Sequence, residues 1–427
     1  MTIALLVFIA LLLLQVPIAF VLGISSIAYL LGIANFGLLE SAPQRLYSGL
    51  ENYSLLAIPL FMFAGELMNA SGITRRLIHF AKVFVGHYRG GLAYVNVLGN
   101  MFLASIIGSA SAQTAIMSRV MVPEMEQNGF SREFSAATTA SAALLGPIIP
   151  PSMLFIIYGV GSGVSIGKMF LAGIIPGIIL AAAFICLIAY MGYRHQFPKS
   201  EKLSRKEVIA TFIRVIPALL VPLLIIGGIL SGVFTATESA AIACGIALVI
   251  GIFVYRELSI KDIPKVLIGT AASTATVTLL MAMANLFGWV LAFEQVPQFL
   301  VQWMGSITES PWTFLLLVNL FLLLIGVIMD ELAVMIILLP IFMPLINHFG
   351  IDPIHFGVVL CINTVIGLLT PPVGAGLFIA SAVANVKMEL LIKSIWPFIA
   401  VAVVVLMLLT YIPSLTLWIP EMFGTLQ

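Results

Sequence analysis

Hydrophobic residues dominate the pattern of this chain, and charged positions are confined to short intervals between long apolar runs. Many of these runs approach the roughly 20 residues that a helix needs to cross a bilayer. They lie at 3–22, 24–39, 53–70, 171–193, 214–231, 236–255, 266–293 and 395–412. The pattern predicts an all-α polytopic membrane protein, with many membrane-spanning helices in contact with lipid.

Composition agrees with this interpretation. The 427 residues are 61% hydrophobic and 9% charged, whereas soluble domains carry about 25% charged residues. The net charge of +1 gives no reason to expect nucleic-acid binding. Lys and Arg concentrate in cytoplasmic loops, and here they mark intervals at 75–89, 194–214 and 256–265. The loops near 40–52 and 294–311 are acidic and are placed outside.

Two regions, 92–168 and 312–390, are interrupted by Gly, Pro and Ser, and the orientation above has the chain enter them from opposite sides. A shift of 221 residues superimposes their helix-breaking positions. The matched positions are Pro123 with Pro344, Gly129 with Gly350, Gly146 with Gly367, Pro150-Pro151 with Pro371-Pro372, and Pro176 with Pro397. This coincidence indicates an inverted repeat, a typical sign of a transporter.

The repeat predicts five segments. Residues 1–91 form N-terminal scaffold helices, and 92–193 form a first transport repeat. Residues 194–311 form a cytoplasmic linker with scaffold or arm helices, 312–394 form a second transport repeat, and 395–427 form a C-terminal helix.

The stretches "LGPIIPPS" (145–152) and "IGLLTPPVG" (366–374) predict two broken helices. Irregular backbone survives in a membrane only inside protein or beside a water-filled cavity. The half-helix ends offer carbonyl oxygens to Na⁺ and N–H groups to a carboxylate. A simple proline kink that shapes the helix bundle is the alternative.

A short polar segment precedes each broken helix. "ASIIGSASAQTA" (104–115) and "IGVIMDELAVMI" (325–336) predict two re-entrant hairpins with polar tips, whose oxygens suit a hard cation. Close helix packing is the alternative for the small residues. Asp330 at the second tip has three alternative roles: to bind Na⁺, to accept a proton or to face water. At least one of Asp330 and Glu331 should reach water. We expect the Arg119 side chain to extend towards the membrane surface or to pair with Glu124 rather than to bind substrate. Asn363 and Thr364, which precede the second break, offer further polar contacts.

Enzymatic motifs are absent from the sequence. The five histidines lack the spacing of a zinc protease, Asp262 and Asp352 fall at loop ends, and "VGSG" (160–163) lacks the first Gly of a rhomboid motif. No Walker sequence occurs, so any pumping would use ion gradients or the ATP of a partner protein. A membrane-embedded enzyme is therefore disfavoured, and a channel is too, since no sequence repeats as a pore ring.

Four long motifs resemble the large membrane subunit, DctM-like, of tripartite ATP-independent periplasmic (TRAP) transporters. They are residues 54–100, which begin with "SLLAIPLFMFAGELMNASG", residues 146–177, which begin with "GPIIPPSMLFIIYGVGSG", "GGILSGVFTATESAAIA" (227–243) and "IGLLTPPVGAGLFIAS" (366–381). The resemblance covers nearly the whole chain. It implies a multi-pass protein of the bacterial inner membrane with an elevator mechanism. It also implies Na⁺-coupled import of an organic acid, a small four-helix membrane subunit and a soluble periplasmic binding protein as partners, and no tightly bound organic cofactor.

The resemblance also implies a set of binding residues. A first sodium ion is expected between Ser109, Ser111, Gly146, Ile149 and Ser152, and a second between Gly326, Asp330, Gly367, Thr370 and Val373. Substrate is expected between the two ions, near Ser105, Gln113, Thr114, Pro150, Asn363 and Pro371. Backbone carbonyls would supply many of these ligands.

One departure affects these expectations. Family members often follow the second-hairpin Asp with Thr or Pro, whereas this chain reads "MDELAVMI" with Glu331 and Leu332. The local ligand set and the substrate therefore remain open, with C4-dicarboxylates, sialic acids and other sugar acids all possible. A Na⁺/carboxylate symporter that needs no binding protein is the alternative within transport.

Overall fold

A computed structural model describes residues 2–33, 36–195, 197–198 and 205–424, and these residues contain helices and turns but no β-strand. The α-helices are α1 (Thr2–Leu13), α2 (Ile18–Gly32), α3 (Phe36–Ser48), α4 (Ala57–Ala70), α5 (Ile73–Val85), α6 (Gly91–Ile107), α7 (Ala110–Gln127), α8 (Arg132–Ala143), α9 (Met153–Ser162), α10 (Ile166–His195), α11 (Arg205–Leu230), α12 (Ala236–Val249), α13 (Ile263–Phe293), α14 (Val296–Ile307), α15 (Pro311–Gly326), α16 (Glu331–His348), α17 (Pro353–Gly367), α18 (Ala375–Ala384), α19 (Met388–Tyr411) and α20 (Ser414–Gly424).

Seven helical segments of the described chain are long and apolar enough to cross a membrane, or eight if the bent pair α14–α15 forms one span. Six of them contain α4, α10, α11, α12, α13 and α19 and coincide with predicted apolar runs. The seventh is α16, within the second interrupted region. The all-α membrane architecture is therefore confirmed.

The predicted spans at 3–22 and 24–39 are wrong. The first apolar run divides into α1, which ends at Leu13, and α2, which begins at Ile18 after Pro17. Proline lacks the backbone N–H and disfavours helical geometry in the residue before it, and Gln15 takes a positive φ of 58° in the connection. Hydropathy alone does not detect such a break, since the flanking residues are equally apolar.

Several intervals predicted as loops contain helices. The acidic interval at 40–52 holds the second part of α3, which ends at Ser48. The basic interval at 75–89 holds most of α5, which buries Ile73 and Leu77 and exposes Arg75. The acidic interval at 294–311 contains α14, which meets α15 at a bend of 117°. The basic stretch 194–214 lies partly outside the described residues, and the segment boundary at 394/395 falls inside α19.

The helices from α6 to α10 and from α15 to α19 follow the same order, and α7 and α16 are offset by 221 residues at both ends. Packing between the two series is reciprocal. The second arm of the first pair, α7, contacts α18, and the corresponding arm α16 contacts α9. Each series of helices therefore packs against the other.

Helix α4 holds the first series against the rest of the molecule. It packs on α12 and α13 on one side and on α6 and α9 on the other. Gly65 permits this approach because any Cβ there would clash with the backbone carbonyl of Ile106 at the end of α6. The tip of the first hairpin is thereby fixed beside α4.

Candidate ion and substrate site

Both predicted helix breaks are present. Helix α8 ends at Ala143 and α9 starts at Met153, while α17 ends at Gly367 and α18 starts at Ala375. The Pro150-Pro151 and Pro371-Pro372 bonds inside the two breaks are both cis. Each break thus presents carbonyl groups from the end of one half-helix and N–H groups from the start of the next.

Local hydrogen bonds hold the first break. Ser152 is the N-cap of α9, where its hydroxyl accepts from the Phe155 N–H at 3.3 Å and donates to the Pro147 carbonyl. In the second break, the Thr370 hydroxyl donates to the Ile366 carbonyl at 2.9 Å. Of these bonds, the one from Ser152 satisfies the Pro147 carbonyl, which lies four residues before Pro151 and therefore lacks a helical N–H partner.

Both hairpins are present as well, since α6 packs against α7 and α15 against α16. Gly108, with φ of 63°, turns the chain at the first tip, and Ser109 is the N-cap of α7 but makes no side-chain capping bond. At the second tip Asp330 is the N-cap of α16, and its carboxylate accepts from the Leu332 N–H at 3.2 Å. The Ser109 hydroxyl at the first tip is therefore not used as a helix cap.

The first hairpin tip lies against the first break, and we call this contact the first junction. The Ser105 hydroxyl donates to the Pro150 carbonyl at 2.9 Å. Ser105, Gly108 and Ser152, together with Phe61 and Gly65 of α4, line a narrow cavity of about 20 Å³. Such a volume holds roughly one water molecule, so the space suits a single small ion or water.

The second hairpin tip contacts the second break, and we call this contact the second junction. The Gly374 N–H donates to the Val327 carbonyl at 3.2 Å. Gly326 and Gly367 touch through their backbones, since a Cβ on Gly367 would lie 2.6 Å from the Gly326 Cα. Unlike the first junction, this one leaves Val373 45% exposed, and Asp330 is exposed too.

Glu331 connects the two tips. Its side chain is 3% exposed, and its carboxylate faces the backbone N–H of Ala110, the first residue of α7. A carboxylate is stabilised at a helix N-terminus, yet its Oε2 has no hydrogen-bond partner among the described residues. Asp330, the other carboxylate of the pair, lies at the surface of the protein.

Gln113 lies in a buried amide network that the sequence did not reveal. Its Nε2 donates to the side-chain oxygen of Asn100 at 2.8 Å, and Asn100 donates to the Asn96 side chain at 2.9 Å. Asn96 in turn donates to the Thr139 hydroxyl of α8 at 2.6 Å. The network ties both arms of the first hairpin to the broken helix. Two asparagines four residues apart in an apolar helix were the signal available.

Asn363 lies in a second buried network. Its Nδ2 donates to the side-chain oxygen of Asn319 at 2.7 Å, and Asn319 donates to the Thr410 hydroxyl at 3.0 Å. This chain of bonds joins α15, α17 and α19. Asn319 and Thr410 were likewise not among the predicted residues.

Several predicted site residues keep unpaired polar atoms. Gln113 Oε1, Thr114 Oγ1 and Asn363 Oδ1 are buried without a hydrogen-bond partner in the described part of the chain. Gln113 Oε1 also lies 2.5 Å from the position that a Cβ on Gly146 would occupy, so Gly146 and Gln113 are neighbours. Such unpaired buried oxygens are unfavourable unless a ligand satisfies them.

The remaining predicted residues are less closely connected. Ile149 packs against Gly177 of α10, and the side chains of Ser109 and Ser111 form no hydrogen bond within the described ranges. The predicted pairing of Arg119 with Glu124 is wrong, because Glu124 pairs with Lys82 of α5 at 2.8 Å. Arg119 is exposed instead, in keeping with the snorkelling alternative.

No group of three or more His, Cys, Asp or Glu side chains that could hold a metal occurs among the described residues. The oxygen atoms at the two junctions come from backbone carbonyls, hydroxyls, amides and the Asp330–Glu331 pair. This donor set fits a hard, weakly bound cation better than a structural transition metal.

Two polar junctions between helix tips and broken helices, in an apolar helical protein, are typical of a membrane transporter. Comparison with known proteins identifies which kind. Residues 5–415 match the family "Tripartite ATP-independent periplasmic transporter, DctM component". The chain therefore belongs to the DctM family. It is a multi-pass permease of the inner membrane and not an enzyme.

Two relatives named for their substrates match most of this chain. It is 38% identical to the C4-dicarboxylate TRAP transporter large permease protein DctM of Pseudomonas aeruginosa, over 89% of both chains. It is 37% identical to the sialic acid TRAP transporter large permease protein SiaM of Vibrio cholerae, over 90% of both. Among solved structures, the Alcanivorax borkumensis YdaH transporter has the same fold, with a TM-score of 0.67, 16% identity and 98% of each chain covered.

Proposed function

We propose that this permease imports an organic acid, of the sialic acid or C4-dicarboxylate class, by coupling its uptake to Na⁺. The relatives named for those two substrates support the class of substrate. A further relative, at 39% identity, is named as a 2,3-diketo-L-gulonate permease of Escherichia coli. All of these substrates are carboxylic acids, so a carboxylate is the feature that the site would recognise.

The single observation that carries the sodium proposal is the contact between each hairpin tip and the neighbouring helix break, at Ser105–Pro150 and Val327–Gly374. Sodium needs several oxygen ligands at short range, and half-helix carbonyl ends supply them. Ser109, Ser111, Gly146, Ile149 and Ser152 would serve the first ion. Gly326, Asp330, Gly367, Thr370 and Val373 would serve the second.

Substrate would bind between these ions, where the unpaired oxygens of Gln113, Thr114 and Asn363 supply polar contacts together with Ser105, Pro150 and Pro371. The reciprocal packing of α7 with α18 and of α16 with α9 supports an inverted repeat that moves as one body. That body would slide along the scaffold helices in an elevator motion, with α4 and α5 among the helices that contact it.

Two partners complete the proposal: a small four-helix membrane subunit and a soluble periplasmic binding protein. The isethionate permease protein DctMQ of Oleidesulfovibrio alaskensis supports the first. It matches 95% of this chain, but the match covers only 64% of its own length. The remaining third leaves room for a fused second subunit.

The test is uptake into liposomes that contain this chain with its small partner. Radiolabelled sialic acid and succinate are each supplied with and without an inward Na⁺ gradient and with and without the matching binding protein. Uptake of one acid that needs both is the expected result. Uptake that needs Na⁺ alone would identify a conventional symporter, and uptake indifferent to Na⁺ would reject both sodium sites.

A further inference from the structure

A large basic cavity opens at the end of the molecule that carries the basic loops. Its volume is about 770 Å³. Helix α5 forms one wall and the base of the first hairpin another, while the start of α11 and the segment after α12 close the remaining sides. The cavity is separate from both junctions, and none of the predicted sodium or substrate residues lines it.

Positive charge exceeds negative charge in this cavity. Two of its cations are paired, Arg76 with Glu257 at 2.7 Å and Lys82 with Glu124 at 2.8 Å. Arg75 and Arg214 also line the cavity, and neither has an acidic partner within the described part of the chain. Two arginine side chains are therefore available for an anion from outside the chain.

The cavity is preformed by Tyr255. The Arg76 guanidinium lies 3.8 Å from the centre of the Tyr255 ring, a cation–π contact. The Tyr255 hydroxyl donates to the Arg214 carbonyl at 2.8 Å and accepts from the Ala218 N–H at 3.1 Å. These contacts fix the start of α11 relative to α5, so that little ordering is left for a ligand to impose.

Apolar side chains share the same cavity. Ile213 is 62% exposed, Val254 is 53% exposed, and Val120 is also exposed. Phe212 and Phe253, the sequence neighbours of two of these residues, are exposed as well. A soluble phosphate would use the arginines and leave this surface in water, whereas a phospholipid would cover it with acyl chain. Basic pockets between helices on the cytoplasmic side are a known arrangement for anionic headgroups.

We propose that this cavity binds an anionic phospholipid, with the phosphate between Arg75 and Arg214 and the acyl chains along Ile213 and Val254. The Lys82–Glu124 ion pair joins α5 to the hairpin arm α7 across the cavity. A lipid bound there therefore contacts both α5 and the first hairpin.

The test uses the full chain in detergent, titrated with phosphatidylglycerol or phosphatidylcholine, with bound lipids counted by native mass spectrometry. The wild type is expected to prefer phosphatidylglycerol. The double variant R75Q/R214Q is expected to bind it roughly 30-fold more weakly, since each basic residue near an anionic lipid contributes about a factor of five. The conservative variant R75K/R214K should keep most of the affinity.

The matched control is R89Q/K265Q, which removes the same charge from exposed positions outside the cavity, and less than a threefold change is expected. An equal loss in both double variants would reduce the effect to general surface charge and overturn the proposal. Displacement of the lipid by equimolar glycerol phosphate, or by succinate or sialic acid, would also overturn it, because the cavity would then serve a soluble anion.

Discussion

The two junctions use the same backbone arrangement in opposite surroundings. In the first, Gly146, Pro150 and Ser152 are buried, and α4 covers the hairpin tip. In the second, Val373 and Asp330 are exposed, as is Ile328 at 68%. The chain thus buries most of the first junction and leaves much of the second at its surface.

The two junctions are therefore stabilised by different kinds of contact. The first junction has side-chain hydrogen bonds and neighbours from the scaffold, so its geometry depends on several helices. The second depends on direct backbone contact between Gly326 and Gly367, on the hydrogen bond from the Gly374 N–H to the Val327 carbonyl and on one capping carboxylate. A substitution at the first should disturb packing around it, whereas one at the second should act mainly through backbone contact or charge.

The largest effect is expected at Gly367. In Gly367→Ala the new Cβ meets the Gly326 backbone, which cannot move aside, and overpacking of this kind costs about 1–3 kcal/mol. We expect uptake below a tenth of wild type and a lower Tm. In the matched Gly146→Ala the Cβ meets Gln113 Oε1, the end of a flexible side chain, so the loss should be smaller.

Gly227→Ala is the control for these two variants, because nothing lies within 4 Å of its Cβ position and alanine favours a helix. Its uptake and Tm should match wild type. Equal damage from Gly146→Ala and Gly367→Ala would contradict the distinction between the junctions.

Sequence reasoning located both breaks and both tips because their signals are local. Proline removes a hydrogen bond wherever it stands, and a polar tip in an apolar run is visible without knowing its partners. The same reasoning misplaced the spans around Pro17, where apolar residues on both sides conceal the break. It also missed Asn96, Asn100 and Asn319, because the choice of partner depends on which helices pack together.

The second prediction concerns charge at Asp330. Asn caps a helix about as well as Asp, so Asp330→Asn should leave the Tm of the protein unchanged while removing a negative charge from the second junction. If Asp330 binds Na⁺, the Na⁺ concentration that gives half-maximal uptake should rise about tenfold, a cost near 1.4 kcal/mol.

Asp330→Ala is the companion variant, and it should also lower the Tm because the cap to Leu332 is lost. An unchanged Na⁺ dependence in Asp330→Asn, alongside a lower Tm in Asp330→Ala, would assign Asp330 to capping alone.

The third prediction concerns the hydrogen bond between Ser105 and Pro150. Ser105→Ala removes the donor to the Pro150 carbonyl, and a net hydrogen bond contributes about 1 kcal/mol. Uptake is expected to fall about fivefold, while Ser105→Thr, which keeps the hydroxyl, should recover most of it. Failure of the threonine variant despite a wild-type Tm would indicate that side-chain size, not the hydrogen bond, matters at this position.

The smallest effects are expected for alanine substitutions of Ser152 and Val373, which occupy matching positions 221 residues apart. Ser152→Ala removes the cap of α9 and should destabilise the protein by about 1 kcal/mol, seen as a lower Tm and a severalfold loss of uptake. Val373→Ala shortens a side chain that is 45% exposed and leaves the backbone carbonyl in place, so it should stay within about 0.5 kcal/mol. A clear drop in Na⁺ affinity for Val373→Ala would instead mean that the Val373 side chain shields the second ion.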